Sequence, residues 1–320
     1  MTFDPQLERL AARAAEAWGG SAHRPRLLSH RENAVFEVTL PGGRAALRLH
    51  RPGYRSDAQI RSELDWTRAL VARGFQAPEP VAMPTGGDLL DLDGGQRASV
   101  IGWMDGAPIG SGTDRLVQSD LETYFKLGAL LARLHAVTNE IGPERFDRPS
   151  WGINGVSGER PLWGRYWEMP LVGAGQRRLV ITARDTAWEQ LRGYLAGGAE
   201  VTLIHTDALR ENVFRRPDGS LALIDFDDSG FGFVMYDLAA SVTQLVDDPL
   251  YPKVCASIVD GYRSVRALRD GDVAMFDTFA MLRAFSALGW TMPRLPADHP
   301  KLPTYVRRAC GLAAAFLAGR

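Results

Sequence analysis

The sequence predicts an α+β protein in two parts, a small antiparallel sheet in the first third and a larger, mainly helical remainder. Residues 26–50 alternate apolar and polar positions around Pro41-Gly42-Gly43, the pattern of a β-hairpin, whereas after residue 105 apolar positions recur at helical spacing. Two short apolar runs, Val201 to Ile204 and Leu221 to Ile224, interrupt the helical part. The boundary falls between residues 104 and 105, giving lobes 1–104 and 105–320.

Taken in order, residues 6–18 have helical spacing and stop at Gly19-Gly20. Val35 to Leu40 and Arg44 to Leu49 form the arms of the hairpin. Residues 57–73 return to helix, with Ser56 or Asp57 as N-cap and Gly74 as the stop. A turn-rich stretch from Pro78 to Leu92 leads to a strand, Ala98 to Met104. Leu121, Tyr124, Phe125, Leu131 and Leu134 mark one face of a long helix. Residues 142–172 read as irregular, and further helices are expected over 176–196, 251–262, 273–288 and 303–318.

Composition narrows the function classes. The 320 residues are 45% hydrophobic and 23% charged, ordinary for a globular protein. A net charge of −1 offers no field for nucleic acid or an anionic membrane. Cys255 and Cys310 lie far apart in apolar helical patterns, and two buried reduced thiols are expected. The N-terminal residues lack the pattern of a secretory signal, and no apolar run reaches the ~18 residues of a spanning helix, so a cytoplasmic protein is expected.

Chemistry concentrates in residues 201–240. An apolar strand delivers His205-Thr206-Asp207, and Asn212 follows five residues after Asp207. A turn around Pro217-Asp218-Gly219 leads to a second apolar strand ending in Asp225-Phe226-Asp227-Asp228, and Asp237-Leu238-Ala239 opens a helix. Phosphoryl transfer needs an acceptor hydroxyl oriented in line with the γ-phosphate and needs the phosphate charge neutralised. Asp207, on a loop after a strand, can accept the hydroxyl proton. Asn212 offers a neutral oxygen and Asp225 an anionic one, hard donors suited to Mg²⁺.

The H-x-D-x₄-N segment, the apolar-Asp-x-Asp-Asp strand end and the later Asp-Leu-Ala resemble the aminoglycoside phosphotransferase/choline kinase superfamily. Within it the chain is similar to the homoserine kinase type II and bacterial stress-response Ser/Thr kinase group. Ser29 to Phe36 resembles that group's polar phosphate loop, Leu47 to Pro52 its third strand, and Ile60 to Leu64 its αC helix. The resemblance spans roughly residues 25–290 and implies a bilobal protein-kinase-like fold, with ATP and Mg²⁺ as cofactors. It implies that Asp207 is the catalytic base or hydroxyl-orienting residue and that Asn212 and Asp225 are the metal ligands. His205 and Asp237 are then supports for the loop, and the roles of Asp227 and Asp228 stay open between metal, substrate and turn-capping.

On the nucleotide side the implied contacts are Ser29 and Asn33 in the phosphate loop, Arg48 and Glu63 as an ion pair, and Trp103 and Met104 beside the adenine. Two departures from the protein-kinase pattern stand out. Residues 28–36 contain no glycine, and the third-strand lysine is replaced by Arg48; the three lysines are Lys126, Lys253 and Lys301. A guanidinium can still pair with phosphates and with Glu63 in fork geometry. Candidate acceptor contacts are Trp151, Trp163, Tyr166, Trp167, Arg283 and Trp290, with Phe231 and Tyr236 near the metal turn.

The acceptor is either the hydroxyl of a small metabolite, such as homoserine, an amino alcohol or an aminoglycoside-like compound, or a protein Ser/Thr. An inactive nucleotide-binding protein on the same fold is disfavoured by the presence of Asp207, Asn212 and Asp225 together. Neither nucleic acid nor membrane is expected as a partner, and the sequence carries no signal for oligomeric state.

Overall fold

The computed structural model describes residues 5–20, 24–30 and 33–319. The chain divides into two compact units, residues 1–107 with 144–148 and 216–227, and residues 108–143 with 149–215 and 228–320. Residues 1–4, Arg31 and Glu32 from the segments read above lie outside the described residues.

The first unit is built on a five-stranded sheet in the order β1-β2-β3-β5-β4. The strands are β1 (Arg26–His30), β2 (Ala34–Leu40), β3 (Gly43–His50), β4 (Leu90–Asp91) and β5 (Arg97–Gly102), and every neighbouring pair is antiparallel. Alternation along β3 gives its two faces different jobs. Ala45, Leu47 and Leu49 join Phe36, Val38, Val100 and the inner residues of helix α1 (Pro5–Ala17), Ala11 and Ala14, in one apolar core. Arg48 and His50 point the other way and are also buried. Glu63, on helix α2 (Asp57–Val71), meets Arg48 there.

Helix α2 starts where its sequence says it should. The Ser56 hydroxyl accepts from the Gln59 amide at 3.2 Å and the Gln59 side chain accepts from the Ser56 amide at 3.4 Å, a reciprocal capping box. Two later segments complete this unit. Strand β10 (Leu221–Leu223) donates from Leu223 N to the Gln76 carbonyl, and Trp66 meets the Phe226 ring edge-on at 5.3 Å.

The second unit is mainly helical. The chain enters it within a two-residue strand, β6 (Ala107–Pro108), followed by α3 (Asp120–Ile141), α4 (Ile153–Ser157), α5 (Ala174–Ala196), α6 (Val234–Val242), α7 (Tyr251–Arg263), α8 (Asp270–Val273), α9 (Phe276–Thr291) and α10 (Leu302–Ala318). Strand β9 (Val213–Arg215) follows the loop that carries Asp207 and Asn212. A small sheet sets β11 (Gly230–Phe233) between β7 (Ser150–Trp151) and β8 (Val201–Ile204). Helices α3 and α7 cross at glycines: a Cβ on Gly128 would lie 2.0 Å from the Ile258 carbonyl oxygen, and one on Gly261 would lie 1.9 Å from that of Phe125.

Three expectations need adjustment. Helix α6 begins at Val234, three residues before Asp237, because the strand β11 runs straight into it. The strand β11 has no counterpart among the expected elements, since two of its four residues are glycine. Cys255 and Cys310 are free, but half-buried and not fully enclosed; burial pushes the Cys255 thiol up to about 12. Among the described residues no helix is long and apolar enough to cross a membrane.

Candidate active site

In the second unit, β8 leads directly into the loop. His205 and Thr206 are completely buried, and Thr206 takes a left-handed φ of 69°. A β-branched residue there is strained, at a cost of about 1–3 kcal/mol, so surrounding contacts must impose it. Asp237, fully buried in the first turn of α6, supplies them. Its Oδ1 accepts from the Thr206 amide at 2.5 Å and its Oδ2 from the His205 amide at 2.8 Å. The Thr206 hydroxyl donates to the Asp228 carbonyl at 2.9 Å. The Asp207 amide donates to His205 Nδ1 at 3.3 Å, so that histidine serves the loop backbone.

The turn delivers Asp207 to a half-buried position, with 21% of its side chain exposed. Asp207 Oδ1 accepts from Arg283 Nη2 at 2.6 Å, and Oδ2 accepts from Asn212 Nδ2 at 3.0 Å. The same Asn212 nitrogen also donates to the Asp207 carbonyl at 2.9 Å. With its nitrogen committed to acceptors, the Asn212 amide leaves its oxygen for another ligand. Arg283 comes from α9, is 5% exposed, and lies 4.8 Å over the Trp163 ring. Burial opposes its charge, but Asp207 together with Tyr236 and Tyr305 offsets burial, and the proton affinity of Arg283 is raised.

In the first unit, Arg48 Nη1 meets Glu63 Oε1 at 2.7 Å, with side chains 4% and 3% exposed. Burial again works against the Arg48 charge; Glu63 and, next, Asp227 outweigh it, so its proton affinity is raised. Arg48 Nε and Nη2 and Glu63 Oε2 are buried and have no hydrogen-bond partner. His50 Nε2 lies 2.8 Å from the Ser99 hydroxyl, and burial plus the nearby Arg48 charge push its pKa down to about 3.

Asp225 is exposed and, like Thr206, takes a left-handed φ, of 65°. Asp227 differs: it is 3% exposed, and both carboxylate oxygens are buried without a hydrogen-bond partner. Arg148 donates to the Phe226 and Asp227 carbonyls, and Arg55 Nε to the Asp227 carbonyl at 3.2 Å, fixing the backbone of this turn. A buried carboxylate with both oxygens unspent is costly unless a cation compensates it. Hard oxygens of this kind suit a divalent cation, and Asp225 lies in the same unit.

The remaining predicted positions are Ser29, half-buried on β1; Asn33, whose Oδ1 accepts from the Arg51 amide at 3.1 Å; Trp103, whose ring carries the Arg44 guanidinium at 4.0 Å; and Met104, half-buried. The structure thus brings together Arg48 with Glu63 and Asp207 with Asn212. Asp225 belongs to the first unit and Asn212 to the second. Sequence reasoning treated Arg283 as an acceptor contact and missed its bond to Asp207. It also missed Arg148, which contacts Phe226 from 78 residues away, a separation that leaves no local signal.

The model of the phosphotransferase enzyme family, APH, matches residues 23–271. The chain belongs to this family. As a phosphotransferase it has the protein-kinase-like fold and is a kinase acting on a hydroxyl acceptor. It is similar to the structure of a microcompartment-associated aminopropanol kinase, with 30% identity, a TM-score of 0.86, and coverage of 97% of this chain and 98% of the other. It is also similar to the amicoumacin kinase hAmiN solved in complex with AMP-PNP, Ca²⁺ and Ami, at 21% identity, a TM-score of 0.74, and coverage of 97% and 94%. Homoserine kinase of Rhodospirillum rubrum is 26% identical over 269 residues, 82% of this phosphotransferase and 77% of the relative.

Proposed function

We propose that this phosphotransferase moves the γ-phosphoryl group of ATP to the hydroxyl of a small metabolite of the amino-alcohol or homoserine type, with Mg²⁺ as its metal. The reading rests above all on the Asp207 carboxylate, held at one oxygen by Arg283 and at the other by Asn212. A carboxylate fixed at both oxygens retains lone pairs for one more donor, and the acceptor hydroxyl is that donor. Asp207 orients the hydroxyl toward the phosphorus and takes its proton as the new O–P bond forms and the bond to ADP breaks. The similarity to the aminopropanol kinase, and to a homoserine kinase more distantly, supports a small acceptor.

In this reading the first unit binds nucleotide and the second carries catalysis and acceptor choice. Arg48 turns its charge toward the phosphates, and Glu63 keeps it extended and ionised. Ser29 and Asn33 shape the loop that covers the phosphates, and Trp103 and Met104 flank the base. Asn212, Asp225 and Asp227 would supply oxygens for the metal, the orphaned carboxylate of Asp227 being the observation that supports adding it to the pair. The chemistry that Mg²⁺ would supply there is neutralisation of phosphate charge.

A screen decides it. The purified protein is given ATP and Mg²⁺ with 1-amino-2-propanol, homoserine, choline, spectinomycin or a Ser/Thr-rich protein, and ADP release and phosphorylated product are measured. At least one small acceptor is expected to stimulate ADP release and appear phosphorylated. Phosphate appearing only on the protein would overturn the small-acceptor assignment, and absence of Mg²⁺-dependent ATP binding by calorimetry would overturn the kinase reading.

A further inference from the structure

A continuous hydrogen-bonded chain reaches the catalytic loop from behind, through a histidine that the reaction does not use. His135, on α3, is fully buried. Its Nε2 lies 3.0 Å from Asp237 Oδ2 and its Nδ1 lies 3.1 Å from the Tyr262 hydroxyl on α7. Arg266 Nη1 donates to the same hydroxyl at 2.9 Å, and Arg266 Nη2 reaches Glu200 Oε1 at 2.6 Å. Asn139 also donates to Glu200 Oε1, at 2.8 Å, and accepts from the Thr202 hydroxyl at 2.6 Å on β8, the strand that feeds the loop.

The directions of these bonds are fixed by what each group can offer. Arg266 can only donate, so the Tyr262 oxygen accepts from it and is free to donate its own hydrogen to His135 Nδ1. A ring that accepts at Nδ1 carries its proton at Nε2. That proton goes to Asp237, a carboxylate with no hydrogen to give. Asp237 then takes three donors: the His205 amide, the Thr206 amide and His135. The close crossing of α3 and α7 at Gly128 and Gly261 brings Tyr262 within reach of the ring.

We infer that His135 is a positioning residue for Asp207, with Tyr262 fixing its tautomer. The two hydrogen bonds that Asp237 accepts from the His205 and Thr206 amides hold Thr206 in its strained conformation and thereby aim the next residue, Asp207. The two amides take one carboxylate oxygen each, so Asp237 grips the loop through both oxygens. His135 adds a second donor to Oδ2, the oxygen that takes the His205 amide, and so ties this carboxylate to α3 as well as to the loop. The inference rests on the assignment of Asp207 as the residue that orients the acceptor.

Two substitutions separate positioning from simple packing. His135→Gln keeps a nitrogen donor near the place of Nε2, and His135→Asn keeps a polar atom only near Nδ1. Kinetics are measured with the small acceptor that gives most turnover in the screen, or as ATP hydrolysis, together with thermal unfolding. His135→Asn is expected to lower kcat about 10-fold or more with the KM for ATP within twofold of wild type, and His135→Gln to stay within about threefold of wild type. Tyr262→Phe, which leaves the ring packing in place, is expected to lower kcat several-fold at unchanged KM, and serves if His135→Asn does not fold. Equal losses in the Gln and Asn variants, or wild-type kcat in His135→Asn or Tyr262→Phe, would overturn the inference. Asp207→Ala measured beside them keeps the two assignments apart. An inactive Asp207→Ala with an unaffected His135→Asn refutes only the positioning role; a fully active Asp207→Ala refutes the catalytic reading beneath it.

Discussion

Glu63→Leu probes the nucleotide side where the structure is most explicit. The pair is nearly dry, 4% and 3% exposed, and joined at 2.7 Å. At a charge separation of roughly 4 Å and an effective dielectric of about 20, the attraction is about 4 kcal/mol. Removing one member of a buried pair leaves the other charge uncompensated, at about 3–5 kcal/mol. Asp227 also acts on Arg48, so the lower end applies, and we expect Glu63→Leu to destabilise the protein by about 3 kcal/mol. The double variant Arg48→Met/Glu63→Leu leaves no stranded charge and is expected to be more stable than Glu63→Leu. It should bind ATP poorly despite folding. Urea unfolding followed by tryptophan fluorescence gives the first comparison and calorimetry with ATP and Mg²⁺ the second. A Glu63→Leu variant within about 1 kcal/mol of wild type would refute the argument. So would a double variant less stable than Glu63→Leu.

Other expectations follow from single contacts. His50 is neutral when folded, with its pKa pushed down to about 3, whereas an unfolded histidine titrates near 6.5. Between these values the unfolded chain binds the extra proton, so this contribution is complete above pH 6.5 and is lost as pH falls. It amounts to about 2 kcal/mol by pH 5, and His50→Gln should flatten the difference in urea stability between pH 7 and pH 5. Gly261→Ala places a methyl 1.9 Å from the Phe125 carbonyl oxygen and should cost about 2 kcal/mol or more; an unchanged melting temperature would contradict the helix crossing. Arg283→Met removes a charged hydrogen bond from Asp207 and should lower kcat about 10-fold or more, whereas wild-type turnover would leave Arg283 a packing residue.

Much of this was legible in the sequence wherever one element carries its own pattern. The hairpin of β2 and β3 shows period two, α2 shows its capping box, and the spacing from Asp207 to Asn212 survives as a direct hydrogen bond. β11 was not legible, for a physical reason. Its glycines are there because a Cβ at Gly230 would lie 2.3 Å from the Pro149 carbonyl oxygen and one at Gly232 would lie 2.6 Å from Ile204 Cδ1. A central strand crowded on both sides therefore carries the composition of a turn. Arg283 was legible as a polar residue in an apolar helix, but its bond to Asp207 spans 76 residues. His135 sits in a helix whose apolar periodicity explains it without function, and only the contact with Asp237, 102 residues away, gives it a role. Asp227 was left undecided because a carboxylate after a strand caps turns as readily as it binds metal; its two unpartnered oxygens favour metal.

The account turns on Asp207, and turnover of Asp207→Ala with ATP, Mg²⁺ and the preferred small acceptor tests it most directly. We expect kcat to fall by about 100-fold or more while ATP affinity by calorimetry stays within a few-fold of wild type. Wild-type turnover in a folded Asp207→Ala protein would contradict the assignment of this carboxylate as the group that orients the acceptor hydroxyl.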